Sequence, residues 1–308
     1  MLSEEIIINE GGKYPLNGIL TLPEKDQPVP AVVLVHGSGS SNMDEKVMKL
    51  TPFKDLAEGL CKYGIASIRY DKRSYVYGMK MVKEGNITVK EETIEDAVKA
   101  AELLRNDPRI DHDNIYIIGH SMGAMLAPRI DAEGGNFKGL ILMAGSLRDL
   151  DDILLGQLKE LSEGKGLKAW AVRKSYVKMQ KQFENLREMN IEETKKIKTG
   201  GGTTLYYFRE VADHPASEYL KNSEKPILVM QGEKDFQVKK DVDFNMYRDL
   251  LQDHPDATFK LYENLNHCFV RYAYESISAG SAEFKEERHI SDSVIADIAC
   301  WISDHSYS

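Results

Sequence analysis

Apolar residues gather along this chain in short unbroken runs rather than in alternation. Pro30-Ala31-Val32-Val33-Leu34-Val35 leads into His36-Gly37, and comparable runs recur at Ile65–Tyr70, Ile115–Ile118, Leu140–Met143 and Ile227–Met230. Runs of this kind suit strands covered on both faces, as in a parallel sheet. Thr258–Tyr262 is a less uniformly apolar candidate, and two short strands are expected near the start, at Ile6–Asn9 and Leu16–Leu22, parted by Gly11-Gly12. Helical periodicity fills the intervals. In Glu92–Arg105, Ile94, Ala97, Val98, Ala101 and Leu104 share one face, and Thr93 with Asp96 has the spacing of a capping box. Phe53–Tyr63, Val238–Leu251 and Ser291–Ser303 are further helices, the last with Val294, Ile295, Ile298 and Ile302 on one side. Strand alternating with helix predicts an α/β protein with a doubly wound, mostly parallel central sheet flanked by helices.

One interval breaks the rhythm. From Leu147 to Ser223 no buried strand is evident, while Val172, Tyr176, Met179, Phe183 and Leu186 follow a helical stripe. A stretch this long is not a plain loop in a compact domain. The division expected is a core of residues 1–146 and 224–308, with a helical cap at 147–223. An extra helical layer packed on the core is the plainer alternative; the position after a central strand favours a cap over a site.

Composition narrows the function classes. The 308 residues are 42% hydrophobic, enough for a large core, and the formal net charge of −9 argues against a nucleic-acid surface. The acidic start, Met1-Leu2-Ser3-Glu4-Glu5, lacks the form of a signal peptide, and no apolar stretch reaches membrane-spanning length. A cytoplasmic location with no membrane association is expected. Cys61, Cys268 and Cys300 have unrelated spacings, which points to neither a disulfide framework nor a metal site, and Cys268 is expected to be a small buried filler.

The sharpest chemical signal is Gly119-His120-Ser121-Met122-Gly123, after the strand Asn114–Ile118 and before a helix at Ala124–Ile130. The pattern alone is short; its strand–turn–helix setting makes it specific. A serine at such a turn projects its hydroxyl above the sheet, and flanking glycines relieve the crowding. A hydroxyl needs a base at neutral pH. His267, just past the last strand candidate, lies at the carboxyl edge where open α/β sheets build their sites. His36 and His120 read as structural, His112, His254 and His305 as solvated, His214 as part of the insertion, and His289 as a surface residue before the last helix. Asp235, in Gln231-Gly232-Glu233-Lys234-Asp235 after another strand, supplies the carboxylate that fixes an imidazole tautomer. Glu233, Asp213 and Asp149 are the alternatives. An oxyanion needs two donors: the N–H of Met122 and, from His36-Gly37-Ser38-Gly39, the N–H of Ser38. His36, Gly37, Tyr176 and Tyr207 are candidate substrate contacts, although core packing accounts equally well for the aromatic ones. Tyr70-Asp71-Lys72-Arg73 ends a strand at the same edge. It either lines the pocket, organises the oxyanion loop, or forms surface ion pairs.

Taken together, His36–Gly39, Gly119–Gly123, Gly232 to Asp235 and His267 resemble the landmarks of the α/β-hydrolase superfamily, in order and over nearly the whole chain. Pro52-Phe53-Lys54-Asp55-Leu56-Ala57 and Arg69–Arg73 resemble a bacterial branch of serine esterases related to the prolyl-oligopeptidase-like hydrolases. The resemblance implies an α/β-hydrolase fold and hydrolysis of small-molecule carboxylic esters, often of short acyl groups, with no metal or organic cofactor. The insertion resembles no known cap, so small aromatic or sugar esters are also open as substrates. A peptidase acting on short peptides, and a non-catalytic small-ligand binding protein, are the alternatives from other classes; oligomeric state is not legible.

Overall fold

The computed structural model describes residues 1–199, 202–271 and 284–306. Eight strands form one sheet: β1 (Leu2–Ile8), β2 (Leu16–Leu22), β3 (Val29–Val35), β4 (Ala66–Tyr70), β5 (Ile110–His120), β6 (Leu140–Met143), β7 (Ile227–Gly232) and β8 (Ala257–Tyr262). Their order is β1-β2-β4-β3-β5-β6-β7-β8. The β1–β2 and β2–β4 pairs are antiparallel, and every later pair is parallel.

The unbroken apolar runs are explained by burial on both sides. Val33, Val35, Ile117, Leu142 and Val229 enter one core, while their neighbours Val32, Leu34, Ile118, Ile141 and Leu228 enter another. Successive strand residues point to opposite faces, so both sets must be apolar. Helices α1 (Pro52–Lys62), α2 (Arg73–Glu84), α3 (Glu95–Asn106) and α4 (Met122–Ile130) precede the insertion. Between β6 and β7 lie α5 (Leu150–Ser162), α6 (Leu167–Phe183), α7 (Ile191–Thr194), α8 (Leu205–Ala212) and α9 (Ala216–Lys221). Then follow α10 (Asn245–Leu250) and α11 (Asp292–Ser306). Residues 200 and 201 of the insertion lie outside the described residues. On the expected stripe, Phe183 and Leu186 are buried, and Met179 packs against the same core.

Two local expectations fail. Thr93 forms no capping box, because the helix begins one turn earlier, through a π-helical turn at Lys90–Ile94, and the hydroxyl of Thr93 is buried without a partner. Asp96, its expected reciprocal partner, is instead forked by Arg73, with Nε–Oδ2 at 2.9 Å and Nη2–Oδ1 at 2.6 Å. Helix α2 is not foreshadowed by its sequence. It buries only Arg73 and Met81, leaves Tyr75, Val76, Met79 and Val82 exposed, and is interrupted at Tyr77 by non-helical backbone.

Candidate active site

Strand β5 ends at His120 and α4 begins at Met122, so Ser121 alone makes the turn. Its backbone has φ 54° and ψ −116°, a conformation that a non-glycine residue adopts only when its surroundings enforce it. The Ser121 N–H donates to the Met143 carbonyl at 2.9 Å, and its own carbonyl accepts from Ala124 at 3.0 Å. A Cβ on Gly119 would lie 2.3 Å from the Gly123 carbonyl oxygen, and one on Gly123 would lie 2.1 Å from that of Val35. Both glycines of the motif are therefore spatial necessities. The positive end of the α4 dipole faces the same turn.

Asp235 and His267 meet in a buried pair, Nδ1 to Oδ2 at 2.7 Å. The carboxylate is fully engaged. Its Oδ1 accepts from the amides of Gln237 at 2.8 Å and Val238 at 3.0 Å, and its Oδ2 also accepts from Gln231 Nε2 at 3.0 Å. An acceptor-only group on Nδ1 places the proton there and leaves the Nε2 lone pair free to take another. A Cβ on Gly232 would lie 2.5 Å from the carbonyls of Leu265 and Asn266, which is how closely the end of β7 meets the histidine loop. His120 joins that loop to the elbow: its Nε2 contacts the His267 carbonyl at 2.9 Å, and the two rings stand 4.7 Å apart. The alternatives to Asp235 are engaged elsewhere, Glu233 with Lys240, Asp213 with Arg209 and Asp149 with Arg187. His289 is exposed and pairs with Asp55.

The loop after β3 approaches the elbow through Gly37, where a Cβ would lie 3.1 Å from that of Ser121. Buried charges hold this loop. The Gly37 N–H donates to Glu45 Oε1 at 2.8 Å, Glu45 Oε2 lies 2.9 Å from His120 Nδ1, and Lys72 Nζ donates to the Gly37 carbonyl at 2.8 Å. Burial alone would push the His120 pKa down, but Glu45 beside it raises it above the ordinary value. Burial likewise drives His36 down to about 4, against the pull of Glu45, so the ring is neutral; it packs on Phe53 and Tyr70 and hydrogen-bonds the Asn42 carbonyl at 2.9 Å. The amides of Ser38 and Met122 have no intramolecular acceptor among the described residues. Of the alternatives for Tyr70–Arg73, surface pairing is not what is found. Lys72 and Arg73 are buried, and Asp71 Oδ1 accepts from the Met43 amide at 2.8 Å in the same loop.

A cavity of about 850 Å³ opens over Ser121, with Ser38 and Met122 also on its wall. Its far sides come from α2 and from α5 and α8, including Met79, Ile153, Leu154, Tyr207 and Phe208. Tyr207 is thus brought to the cavity. His36 and Tyr176 are not: His36 is buried behind the loop as a structural ring, and Tyr176 lies on α6, which contributes nothing to the cavity lining. Gly37 lies under the loop rather than on the wall, both its backbone groups already bonded. Cys268 is buried and its thiol is pushed up by burial, consistent with a filler role. Sequence reading missed Glu45, Glu92 and Asp243. Asp243 is fully buried and clamps Ser146 Oγ at 2.6 Å and Arg148 Nε at 2.7 Å, tying the start of the insertion to the Lys239 amide at 2.7 Å.

The profile of one protein family, Hydrolase_4, described as serine aminopeptidase S33, matches residues 26–271. The chain belongs to this family. Among curated proteins it is similar to the Esterase EstD of Thermotoga maritima, 31% identical over 287 residues, which is 93% of this chain and 65% of EstD. The chain therefore spans slightly less than two thirds of that relative. Solved structures of similar fold include Est1E from Butyrivibrio proteoclasticus, at TM-score 0.54 and 17% identity, covering 91% of this chain and 96% of that one. A Pyrococcus furiosus esterase aligns at TM-score 0.59 and 16% identity, covering 98% and 91%. A puromycin-hydrolysing peptidase of Mycobacterium tuberculosis aligns at TM-score 0.60 and 14% identity, covering 98% of this chain and 39% of that one. The α/β-hydrolase fold expected for the family is the fold found. Among the described residues, no helix is long and apolar enough to cross a membrane.

Proposed function

We propose that this chain is a serine-dependent carboxylic ester hydrolase working through an acyl-enzyme on Ser121. His267 takes the hydroxyl proton as the oxygen attacks the ester carbonyl, and returns it to the leaving alcohol; water then repeats the sequence on the acyl-enzyme. Asp235 holds the imidazole tautomer and stabilises the imidazolium. The Ser38 and Met122 amides receive the oxyanion. The observation that carries this reading is the strained Ser121 turn, joined through the adjacent His120 to a buried Asp235–His267 pair whose hydrogen bonding leaves Nε2 free. The esterase names of relatives add support. Short-chain acyl esters and small aromatic or sugar esters are the substrates proposed, and the cavity of about 850 Å³ leaves room for the bulkier of these.

The test is a panel of p-nitrophenyl esters of rising acyl length, with feruloyl and acetylated-sugar esters, run on the native chain and on Ser121→Ala. Turnover that disappears in the variant, with fluorophosphonate labelling, is expected. Turnover unchanged in Ser121→Ala sinks the proposal. The family description favours one second reading, release of short peptides as an aminopeptidase. Faster hydrolysis of aminoacyl amides than of the matched esters would establish it.

A further inference from the structure

The peptide between Gly37 and Ser38 is gripped from outside its loop by one buried ammonium. Lys72 Nζ donates to the Gly37 carbonyl at 2.8 Å, and its side chain is only 2% exposed. A trans peptide is planar, with its C=O and N–H pointing opposite ways. The Gly37 carbonyl and the Ser38 N–H belong to one such plane, so fixing the first fixes the second. The neighbouring Gly37 N–H is already spent on Glu45, whereas the Ser38 N–H has no intramolecular acceptor among the described residues and Ser38 lines the cavity over Ser121. Glycine at 37 sets little steric barrier against a peptide flip, so the orientation has to come from a partner.

Resting on the reading of the Ser38 N–H as an oxyanion donor, we infer that Lys72 is a positioning residue that aims this amide by holding the Gly37 carbonyl, and that Glu92, held in turn by Tyr207 of the insertion, holds Lys72. Glu92 Oε1 lies 3.6 Å from Lys72 Nζ, and Glu92 Oε2 accepts from the Tyr207 hydroxyl at 2.6 Å. The tyrosine belongs to α8 and touches Met122 Sδ at 3.7 Å, so the chain of contacts runs from a cap helix to both proposed oxyanion donors. Burial works against the charge on Lys72, and Glu92 and Glu45 work for it, which accounts for a buried lysine accompanied by two carboxylates. Seating of α8 is thereby felt at the oxyanion loop.

The experiment compares Lys72→Met, Tyr207→Phe and the double variant on p-nitrophenyl butyrate, with the infrared stretch of a trapped acyl-enzyme carbonyl as a second readout. Loss of one oxyanion donor lowers kcat about a hundredfold, so Lys72→Met is expected to fall by that order with KM held within about threefold. Its acyl carbonyl stretch should move to higher frequency. Tyr207→Phe keeps the ring packing and should lower kcat about three- to tenfold, an effect that disappears in the Lys72→Met background. Native kcat in Lys72→Met, an unmoved stretch, or a Tyr207→Phe cost equal in both backgrounds overturns the inference. If Lys72→Met does not fold, Glu92→Gln and Tyr207→Phe decide: lowered kcat with a shifted stretch supports it, and no change in either overturns it. Turnover surviving Ser121→Ala refutes the underlying mechanism instead, so the two failures are distinguishable.

Discussion

Replacing Asp235 by asparagine changes a single atom and should disable catalysis while leaving the fold intact. Asp235 Oδ1 accepts two backbone amides, from Gln237 and Val238, so in Asp235→Asn the side-chain carbonyl oxygen keeps that position. The NH₂ then occupies the place of Oδ2, where His267 Nδ1 stands at 2.7 Å and Gln231 Nε2 at 3.0 Å. Donor would face donor. The imidazole relieves this by moving its proton to Nε2, which leaves that nitrogen unable to act as a base. Loss of the correct tautomer in a serine triad costs about 10⁴ in kcat, or about 5.5 kcal/mol at 1.36 kcal/mol per decade. Stability should change far less, because Gln231 Nε2 retains the Val238 carbonyl at 2.9 Å. The assay is kcat on p-nitrophenyl butyrate with urea unfolding in parallel. Activity of Asp235→Asn within about tenfold of the native chain would refute the reasoning, since it would mean that the pair does not set the tautomer.

Three further outcomes are expected. Gly123→Ala drives a methyl to 2.1 Å from the Val35 carbonyl, and neither backbone can yield, so stability should fall by about 3 kcal/mol or soluble protein be lost. Gly156→Ala, within α5 and with no atom inside 4 Å of the new carbon, serves as the control and should gain about 0.5–1 kcal/mol in urea unfolding. His36 is buried with its pKa depressed to about 4 from 6.5, so its contribution is complete above pH 6.5 and is lost as pH falls through 4. The full difference is about 3 kcal/mol. His36→Gln can keep the donor to the Asn42 carbonyl, and the gap in urea midpoint between it and the native chain should narrow between about pH 7 and about pH 4.5; a constant gap counts against the buried neutral ring.

Much of the architecture is legible because two-sided burial writes itself into sequence. Leu140–Met143, apolar and buried throughout, is bounded to the residue because a strand packed on both faces tolerates no polar interruption, and Leu16–Leu22 is bounded as well although Asn17 is exposed and Thr21 polar. The placement of Ser121, Asp235 and His267 at one sheet edge is equally readable, because each follows a strand of a parallel sheet. What escapes depends on contacts between distant residues. Nothing local marks Glu45 as the partner of His120, or Glu92 as the partner of Tyr207, 115 positions away. In sequence Lys72 stands among a strand-end group open to lining the pocket, organising the oxyanion loop or pairing at the surface, and only the packing of the loop above it shows the charge turned inward. Helix α2 escapes for a different reason: its apolar residues Tyr75, Val76, Met79 and Val82 border the cavity rather than a core, and Tyr77 breaks its helical backbone.

The origin of the cavity walls bears on how the chain can change. The serine, the histidine and the aspartate all hang from the ends of sheet strands, whereas the cavity walls are borrowed from α2 and α5, which leave the sheet after different strands. Shape and reactivity are thus inherited through separate stretches of sequence. Randomising the cavity-facing positions of Tyr75–Val82 and Leu150–Gln157 leaves the reacting groups untouched, so a library built there should shift ester preference while nearly every folded member still reacts with a small fluorophosphonate.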